Sequence, residues 1–280
     1  MEWERAKSYI LLAFLLLNAG LGWLLFTEYS RYTLDADRLG DIHTVLSQNN
    51  INLYTPLPRR FAPMRHLNVS GGHYEIPALL DIFFDGEAFS SITDTNYYLF
   101  ETEDTRLEIS NGFISFDNRG SLGENSGGII SRENALKISD AFIQEHFPDF
   151  VRDMVLEEDL GFNIIYRQSY RGQLIHSNYI EFFIVPQGIA WVEMEFGRVL
   201  GYSAETRMIF APDEVLLTFM QRVRHVMDEP IFIRHMDIVY NQEYASDQED
   251  AVFPAVPFYR IFIRGEDFPF LINAYTNVIL

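Results

Sequence analysis

The chain has 280 residues, of which 48% are hydrophobic, and its 24 Phe and 15 Tyr favour two or three small folded domains over a disordered chain. Its 21 basic and 40 acidic residues give a net charge of −19, so the surface as a whole should repel nucleic acid, and no nucleic-acid partner is predicted. The chain contains no cysteine, which excludes disulfides, thiolate nucleophiles, iron–sulfur clusters and cysteine-based zinc sites.

The first predicted element is an apolar segment, residues 9–26, which contains no formally charged side chain. As a helix it would be roughly 27 Å long, close to the ~30 Å hydrocarbon core of a bilayer. A cleaved signal peptide and a buried core helix are the alternatives. The apolar run continues through residues 23–26, past the small pair Ala19-Gly20, so residues 1–30 are predicted to be a cytoplasmic tip and an uncleaved single-pass anchor in the lipid bilayer.

Basic residues on the two sides of this segment set its predicted orientation. Arg5 and Lys7 stand before it, and Arg31 is the next basic residue after it. The positive-inside rule counts basic residues and therefore places the N-terminus in the cytoplasm. The rest of the chain is then predicted to be extracellular, held at the cell membrane.

After the anchor, residues 31–122 are predicted to form an extracellular α+β domain. A 3.6-residue apolar period over 34–48 predicts a helix that stops at Asn49-Asn50. A proline-rich linker follows. Beyond it, short apolar runs predict the strands of an antiparallel meander: 97–100, 106–109 and 113–116.

Glycines mark a turn and a boundary at the end of this domain. Asn111-Gly112 is a strong signal for a hairpin turn between the last two predicted strands. Residues 120–128 contain four glycines and predict a linker. A domain boundary is therefore expected there.

The sequence beyond the linker contains a weak internal repeat, predicted as a first helix–sheet unit at 129–206 and a second at 207–280. Ser131 opens the helix of the first copy, and Pro212 opens that of the second, through about residue 227. Each helix has acidic residues in its first turn, where the helix dipole favours them. The apolar stripes of the two helices are Ala135, Ile138, Phe142, Ile143 and Val215, Leu216, Phe219, Val223.

The strand that follows each helix carries a Tyr-x-Gln-x-Tyr pattern, at residues 166–170 and 240–244. Alternate residues of a strand share one face, so each pattern defines a tyrosine face. Such a face could bind a peptide edge, but buried aromatic rings with satisfied polar tips are the favoured interpretation. Each copy then continues with two further strands, which predicts an α+β architecture with the helix packed on one sheet face.

Candidate catalytic and metal-binding residues are few. The seven histidines have no metal-ligand spacing, and no metal site is predicted. Two acidic clusters could supply the paired carboxylates of a glycosidase, but both are interpreted as solvated loops: Glu101, Glu103, Asp104 and Glu157, Glu158, Asp159. The sequence also lacks a nucleophile elbow, a phosphate loop and a dinucleotide fingerprint, so no catalytic residue and no cofactor are predicted.

The anchor itself carries the candidate contact site. Steps of 4, 3, 4 and 3 place five of its residues on one helical face, called here the contact face: Leu11, Leu15, Asn18, Gly22 and Leu25. An asparagine amide inside a membrane can bond to another helix, a contact of ~0.6–2 kcal/mol, and Gly22 permits close approach. The alternative is that the Asn18 amide turns back to its own backbone.

Short segments in a fixed order along the whole chain resemble the YycI family of membrane proteins. They are Met1-Glu2-Trp3 with Lys7, Leu17-Asn18, Asn50-Ile51, Leu57-Pro58, Tyr98-Leu99-Phe100, Asn111-Gly112, residues 257–261 and residues 273–276. The helix–sheet repeat is also similar to the PepSY-like modules of that family and of its YycH partner.

The resemblance implies a non-catalytic accessory protein of the WalK/WalR (YycG/YycF) two-component system, which controls cell-wall metabolism. Such a protein would contact the sensor histidine kinase and a YycH-like protein through transmembrane helices and extracellular domains, and would alter kinase activity. Two other functions stay open: a membrane-tethered cell-wall hydrolase and a PepSY-type inhibitor of a secreted protease.

Overall fold

The computed structural model describes residues 2–71, 75–94, 96–110, 112–122, 128–224, 229–242 and 251–280. Within these ranges the chain forms five α-helices and fourteen β-strands. Separate helices and a mainly antiparallel set of strands confirm the predicted α+β class, with an apolar N-terminal helix ahead of the sheet-forming part.

The helices and strands alternate irregularly along the chain. The helices are α1 (Glu2–Arg31), α2 (Ala36–Gln48), α3 (Ile76–Phe84), α4 (Arg132–His146) and α5 (Pro212–Val223). The strands are β1 (Ile51–Leu53), β2 (Leu67–Ser70), β3 (Ser90–Asp94), β4 (Tyr97–Glu101), β5 (Thr105–Ser110), β6 (Phe113–Asn118), β7 (Phe150–Glu158), β8 (Gly161–Tyr170), β9 (Gln173–Val185), β10 (Gly188–Glu195), β11 (Val199–Tyr202), β12 (Ile231–Gln242), β13 (Val252–Ile263) and β14 (Phe270–Asn273).

The chain divides into two compact units, and each unit combines segments that are distant in sequence. The first unit comprises Met1–Met64, Met208–Asp237 and Tyr259–Leu280, and the second comprises Arg65–Arg207 and Ile238–Phe258. Strands β12 and β13 therefore each contribute residues to both units. The boundaries predicted from the sequence, near residues 30, 122, 129 and 206, follow the chain in order and stay a prediction.

The first unit packs helix α2 against helix α5. Asp35 caps α2 by accepting a hydrogen bond from the Arg38 backbone N–H at 2.8 Å, and Asn49 ends the helix as predicted. The predicted apolar stripe of α5 is buried: Val215, Leu216, Phe219 and Val223. The strands of this unit follow the order β1-β12-β13-β14, with β1 parallel to β12.

Helix α5 begins where the sequence predicts it. Pro212 occupies the first turn, where its missing N–H costs nothing, and the Glu214 carboxylate accepts a hydrogen bond from the Ala211 N–H at 3.1 Å. The helix ends at Val223, four residues before the predicted end, and residues 225–228 lie outside the described residues.

The second unit contains the predicted antiparallel meander. Strands β3 to β6 pair in sequence order, and Gly112 adopts a φ of 82° between β5 and β6, which suits the predicted hairpin turn. Asn111 of that turn and residues 123–127 of the predicted linker lie outside the described residues. The strand path of the unit is β11-β2-β13-β12-β9-β10-β6-β5-β4-β3, and β7 and β8 branch from β9.

Helices α3 and α4 cover one face of this sheet and form its hydrophobic core. Phe83 of α3 stacks on Phe116 with ring centroids 4.5 Å apart, and Phe142 of α4 meets Phe182 at 5.2 Å. Ser131 caps α4 by accepting from the Asn134 N–H, as its sequence predicts. The core at this face is continuous, so the opposite face of the same strands is the part of the sheet that these helices leave uncovered.

Both copies of the predicted repeat contain the predicted helix and the three predicted strands. The first copy has α4 with β8, β9 and β10, and the second has α5 with β12, β13 and β14. Strand β7 lies between α4 and β8 and was missed, because its residues Glu157 and Glu158 were interpreted as a loop. Tyr244, the last tyrosine of the second pattern, lies outside the described residues.

Candidate functional site: the anchor helix and its junction

Helix α1 is apolar along most of its length and packs on no other element there. Residues Arg5–Arg31 form a helix of 27 residues that is long and apolar enough to cross a membrane, the one such helix in the described part of the chain. Its most apolar stretch is 0% buried, so the buried core helix considered above is wrong. A helix that is hydrophobic on all sides and unburied matches a membrane anchor, although a signal sequence has the same features.

Asn18 hydrogen-bonds to its own helix. Its Nδ2 donates to the Phe14 carbonyl oxygen at 2.7 Å, which is the backbone-directed arrangement considered above. An asparagine amide has two N–H donors and one carbonyl acceptor, and the described residues give Asn18 no further bond. One N–H and the Oδ1 acceptor are therefore available, and a bond from Asn18 to a second helix stays a prediction.

The rest of the contact face is also unoccupied by the chain itself. Leu11, Leu15 and Leu25 are 68%, 64% and 71% exposed. A methyl group added at Gly22 would meet no atom within 4 Å, and the same holds for Gly20 on the opposite side of the helix. No packing within the described chain requires glycine at either position, so Gly22 and Gly20 form a matched pair for testing the contact face.

A short antiparallel backbone contact joins residues 32–34, at the end of α1, to residues 59–61. The Leu34 N–H donates to the Arg59 carbonyl at 2.8 Å, and the Phe61 N–H donates to the Tyr32 carbonyl at 3.0 Å. Thr33 and Arg60 form the bridge between these two bonds. We call this contact the junction; it fixes the exit of α1 against residues 59–61.

Aromatic rings and arginines surround the junction. The Tyr32 ring meets the Phe61 ring edge-on, with centroids 6.4 Å apart. The Arg60 guanidinium lies 5.6 Å from the Tyr29 ring centroid, and that of Arg38 lies 5.9 Å from the Phe61 centroid. Each distance is within the range of a cation–π attraction, so side chains reinforce the backbone contact.

An ion pair continues this chain of contacts from α2 to α5. The Arg38 guanidinium donates through Nε and Nη2 to the two carboxylate oxygens of Asp213, at 2.9 and 2.8 Å. Two parallel bonds make this pair more specific than a single contact between exposed charges. The anchor, the junction, α2 and α5 are thus connected by direct contacts within one unit.

The side chains of the two acidic clusters are exposed or paired with arginine. Glu101 pairs with Arg106 at 3.8 Å and with Arg119 at 3.6 Å, whereas Glu103 and Asp104 are exposed. In the second cluster, Glu157, Glu158 and Asp159 are all exposed at the end of β7. The solvated interpretation is confirmed for the five exposed acids, whereas Glu101 is half-buried and ion-paired. The assignment to a loop is wrong for Glu101, Glu157 and Glu158, which lie in strands β4 and β7.

The first tyrosine of each Tyr-x-Gln-x-Tyr pattern is buried in the core. Tyr166 is 2% exposed, and its hydroxyl donates to Asp140 at 2.6 Å, while burial raises its pKa. Tyr240 is also 2% exposed and donates to the Arg65 carbonyl at 2.9 Å. Buried rings with satisfied polar tips, the favoured interpretation, are confirmed for both.

The histidines are dispersed. His43 and His235 are exposed, and His146 packs its ring edge-on against Phe142 at 4.9 Å. His73 and His225 lie outside the described residues. Among the residues that the structure describes, no group of three or more His, Asp or Glu side chains is placed to hold a metal ion.

Sequence reasoning missed a buried ion pair in the first unit. Arg260 is 2% exposed and donates through Nε and Nη2 to the two oxygens of Asp237, at 2.9 and 2.7 Å. The two residues lie on neighbouring strands and are 23 residues apart in sequence, so no short motif predicts their contact. A single arginine inside the apolar run of residues 258–263 was the available signal, because a buried cation requires a partner.

Acidic and aromatic side chains share the second unit's uncovered sheet face. Glu193 stands directly opposite Glu181 on the neighbouring strand, and Trp191 stacks on Phe183 with centroids 6.0 Å apart. Burial, with the carboxylates of Glu181 and Asp117 nearby, raises the pKa of Glu193. Like charges in register destabilise a sheet, so this pair is a source of pH-dependent stability.

Comparison with known proteins bears on the fold. No family model matches the chain, and no curated protein sequence matches it. An uncharacterized protein from Eubacterium rectale has a similar crystal structure, with a TM-score of 0.56 at 11% identity, over 82% of this chain and 90% of that chain. The C-terminal domain of Bacillus megaterium YpeB aligns with a TM-score of 0.46 at 9% identity, over 75% of this chain and 96% of that chain. At 11% identity, the similarity to the Eubacterium rectale protein indicates shared architecture alone, in agreement with the α+β class.

Proposed function

We propose that this chain is a non-catalytic, membrane-anchored regulator of a sensor histidine kinase of the WalK/YycG type, acting with a YycH-like partner in control of cell-wall metabolism. In this proposal the chain is a YycI-family protein, and its two helix–sheet copies are PepSY-like modules. The N-terminus is cytoplasmic, as Arg5 and Lys7 predict, and the sheet-forming part is extracellular.

One observation carries the proposal: the helix that fits a membrane leaves its small and polar residues unpacked, yet is joined firmly to a folded unit. Asn18 keeps an unused N–H and an unused acceptor, and Gly22 has open space around it. Inside a bilayer, such residues favour contact with another helix. The partner that this face accommodates is therefore a transmembrane helix.

The junction supplies a route between that contact and the extracellular part. The backbone bonds between Leu34 and Arg59 and between Phe61 and Tyr32 restrain the exit of α1, and the Arg38–Asp213 pair connects α2 with α5. A regulator changes its target only by binding one signalling state more tightly than another. A difference of about 1–3 kcal/mol in binding free energy is a typical size for such coupling.

Reconstituted kinase activity tests the proposal. The full chain is incorporated with the sensor kinase and its YycH-like partner in nanodiscs, and kinase autophosphorylation is measured with and without the chain. We expect the chain to change the autophosphorylation rate, about fivefold or more for a coupling of 1 kcal/mol. Gly22→Leu should abolish most of this change, because a leucine there prevents close helix approach.

Gly20→Leu is the matched control, since it adds the same side chain to the same helix on the opposite face. It should leave the regulation intact. Equal loss in both variants, or a kinase rate that the wild-type chain does not change, would reject regulation through the contact face.

A further inference from the structure

The charge of this protein is not evenly distributed, and the junction lies in its least acidic part. Of the 280 residues 40 are acidic, yet residues 42–74 contain no Asp or Glu and include Arg59, Arg60 and Arg65. The overall repulsion of anions expected from the net charge of −19 therefore does not extend to residues 59–61, which form one side of the junction.

A groove of about 560 Å³ opens between the end of α1 and this basic segment. Its apolar lining, called here the apolar wall, comes from Leu25 and Phe26 of α1 and from Ala62 and Pro63 of the other side. Tyr29 and Arg60 form the polar rim together with Glu28. We call this feature the junction groove. Its apolar wall lies beside the Arg60 guanidinium, and all of its residues belong to the first unit.

Position along α1 places the junction groove at a membrane boundary. If residues 9–26 span the hydrocarbon core, Phe26 lies at its edge and Tyr29 lies about 4.5 Å farther out. The headgroup layer on each side of a bilayer is roughly 5–7 Å thick. The apolar wall then faces acyl chains and the rim faces headgroups.

The arginines at the rim are not neutralised by acidic partners. Arg31, Arg59 and Arg60 are exposed, and none forms an ion pair with an acid among the described residues. Arg31 and Arg60 each lie 5.6 Å from a tyrosine ring centroid, which orients the guanidinium without cancelling its charge. Glu28 opposes them, so this region carries three positive charges and one negative charge.

We propose that the junction groove binds an anionic phospholipid. The lipid phosphate lies against Arg60, whose planar guanidinium group suits bidentate contact with phosphate oxygens, and the neighbouring Arg59 adds a second exposed positive charge to the same segment. The glycerol and the first methylenes of the acyl chain lie against Leu25, Phe26 and Ala62. The same phosphate chemistry occurs in free glycerophosphate, but the apolar wall favours a lipid.

Lipid retention measured by native mass spectrometry tests this site. The full chain is purified in micelles that contain equal amounts of phosphatidylglycerol and phosphatidylcholine, and the lipids bound to the released protein are counted. We expect wild-type protein to retain phosphatidylglycerol preferentially. Arg59→Gln with Arg60→Gln should reduce that preference by up to about 25-fold, because each basic residue near an anionic surface contributes about fivefold.

A matched control removes the same charge elsewhere. Arg222→Gln with Arg224→Gln, two exposed arginines at the end of α5, should keep the phosphatidylglycerol preference. Arg59→Lys with Arg60→Lys should keep most of it, which separates loss of charge from loss of fold. Ala62→Phe fills the apolar wall and should reduce lipid retention while all arginines remain.

Three results would overturn the proposal. Equal retention of the two lipids by the wild type would show no anionic site, and equal loss in both glutamine variants would show only a general charge effect. Displacement of the lipid by millimolar glycerophosphate would assign the site to a soluble phosphate instead. None of these readouts depends on kinase regulation, so the two proposals can fail separately.

Discussion

Helices α1 and α5 belong to the same compact unit, but the apolar side chains of α5 are buried and those of α1 are exposed. Helix α5 buries Val215, Leu216 and Phe219 completely. Its N-terminus is capped and has Pro212 in the first turn. Helix α1 leaves every large apolar side chain along its length exposed. Burial of apolar surface stabilises a folded chain by about 25 cal/mol per Å². A helix that forgoes this stabilisation along its whole apolar length is consistent with a membrane anchor.

Polar side chains show a similar contrast between α1 and α4, in whether they contact other elements of the chain. In α1, Asn18, Thr27 and Ser30 each donate to a carbonyl three or four residues earlier in the same helix. In α4, the buried Ser139 makes the same kind of bond to the Ala135 carbonyl, and its Oγ also lies 2.8 Å from the Tyr166 hydroxyl of strand β8. Helix α1 satisfies its polar groups without the rest of the chain, as a bilayer requires, whereas α4 is specified by its neighbours.

Truncating one apolar side chain in each helix should give the largest contrast. Phe219→Ala in α5 should lower the free energy of unfolding by about 3–5 kcal/mol, because it empties a fully buried site. Leu15→Ala in α1 should leave that free energy unchanged. Urea unfolding of the full chain in detergent, followed by circular dichroism, measures both, and a similar loss in the two variants would contradict the contrast.

Breaking the buried ion pair should have the next largest effect. Asp237→Ala leaves the Arg260 guanidinium buried without its carboxylate and should destabilise the protein by about 3 kcal/mol. Asp81→Ala, which removes an exposed carboxylate in α3, serves as the control and should change the free energy of unfolding by less than about 0.5 kcal/mol. Equal effects of the two substitutions would remove Arg260–Asp237 as a stabilising pair.

The Arg38–Asp213 contact should have a smaller effect, because Arg38 is 40% exposed. A double-mutant cycle with Arg38→Gln and Asp213→Asn should give a coupling of about 1 kcal/mol in the free energy of unfolding, at the upper end for a partly exposed bidentate pair. Strict additivity of the two substitutions would show that the pair does not connect α2 with α5.

The smallest predicted effect depends on pH. Because the folded state raises the pKa of Glu193, it holds this proton more tightly than the unfolded chain, and the associated stability is lost as the pH rises through the folded pKa. Glu193→Gln should therefore stabilise the protein at pH 7 by about 0.5 kcal/mol and have little effect at pH 4.

Thermal unfolding of both proteins at the two pH values measures this difference. Glu158→Gln, a substitution of an exposed glutamate, is the control and should show no gain at pH 7. An equal gain at both pH values would contradict a repulsion that requires ionised Glu193 opposite Glu181.

Local signals in the sequence were sufficient for most elements. The cap at Ser131, the proline at position 212 and the apolar stripe through Phe219 each predicted a helix that the structure contains. These features act within a few residues, so they are readable without knowledge of the fold. The meander of β4 to β6 was predictable for the same reason, since adjacent strands pair across short turns.

Features that depend on contacts between residues distant in sequence could not be predicted from the sequence. Strand β7 ends in two consecutive exposed acids, Glu157 and Glu158, and its pairing with β8 is seen only in the structure. The junction joins Tyr32 to Phe61, and the Arg38–Asp213 pair spans 175 residues. The helix that forms the contact face was predicted from composition, but its attachment through the junction required tertiary structure.

Photo-crosslinking from inside the membrane tests the central claim most directly. A photoreactive residue replaces Asn18 in one variant and Leu16 in another, about 160° away around the helix, and adducts are identified in native membranes by mass spectrometry. The account predicts an adduct with a transmembrane helix of the sensor kinase from position 18 and none from position 16. Equal adducts from both positions, or none from position 18, would contradict it.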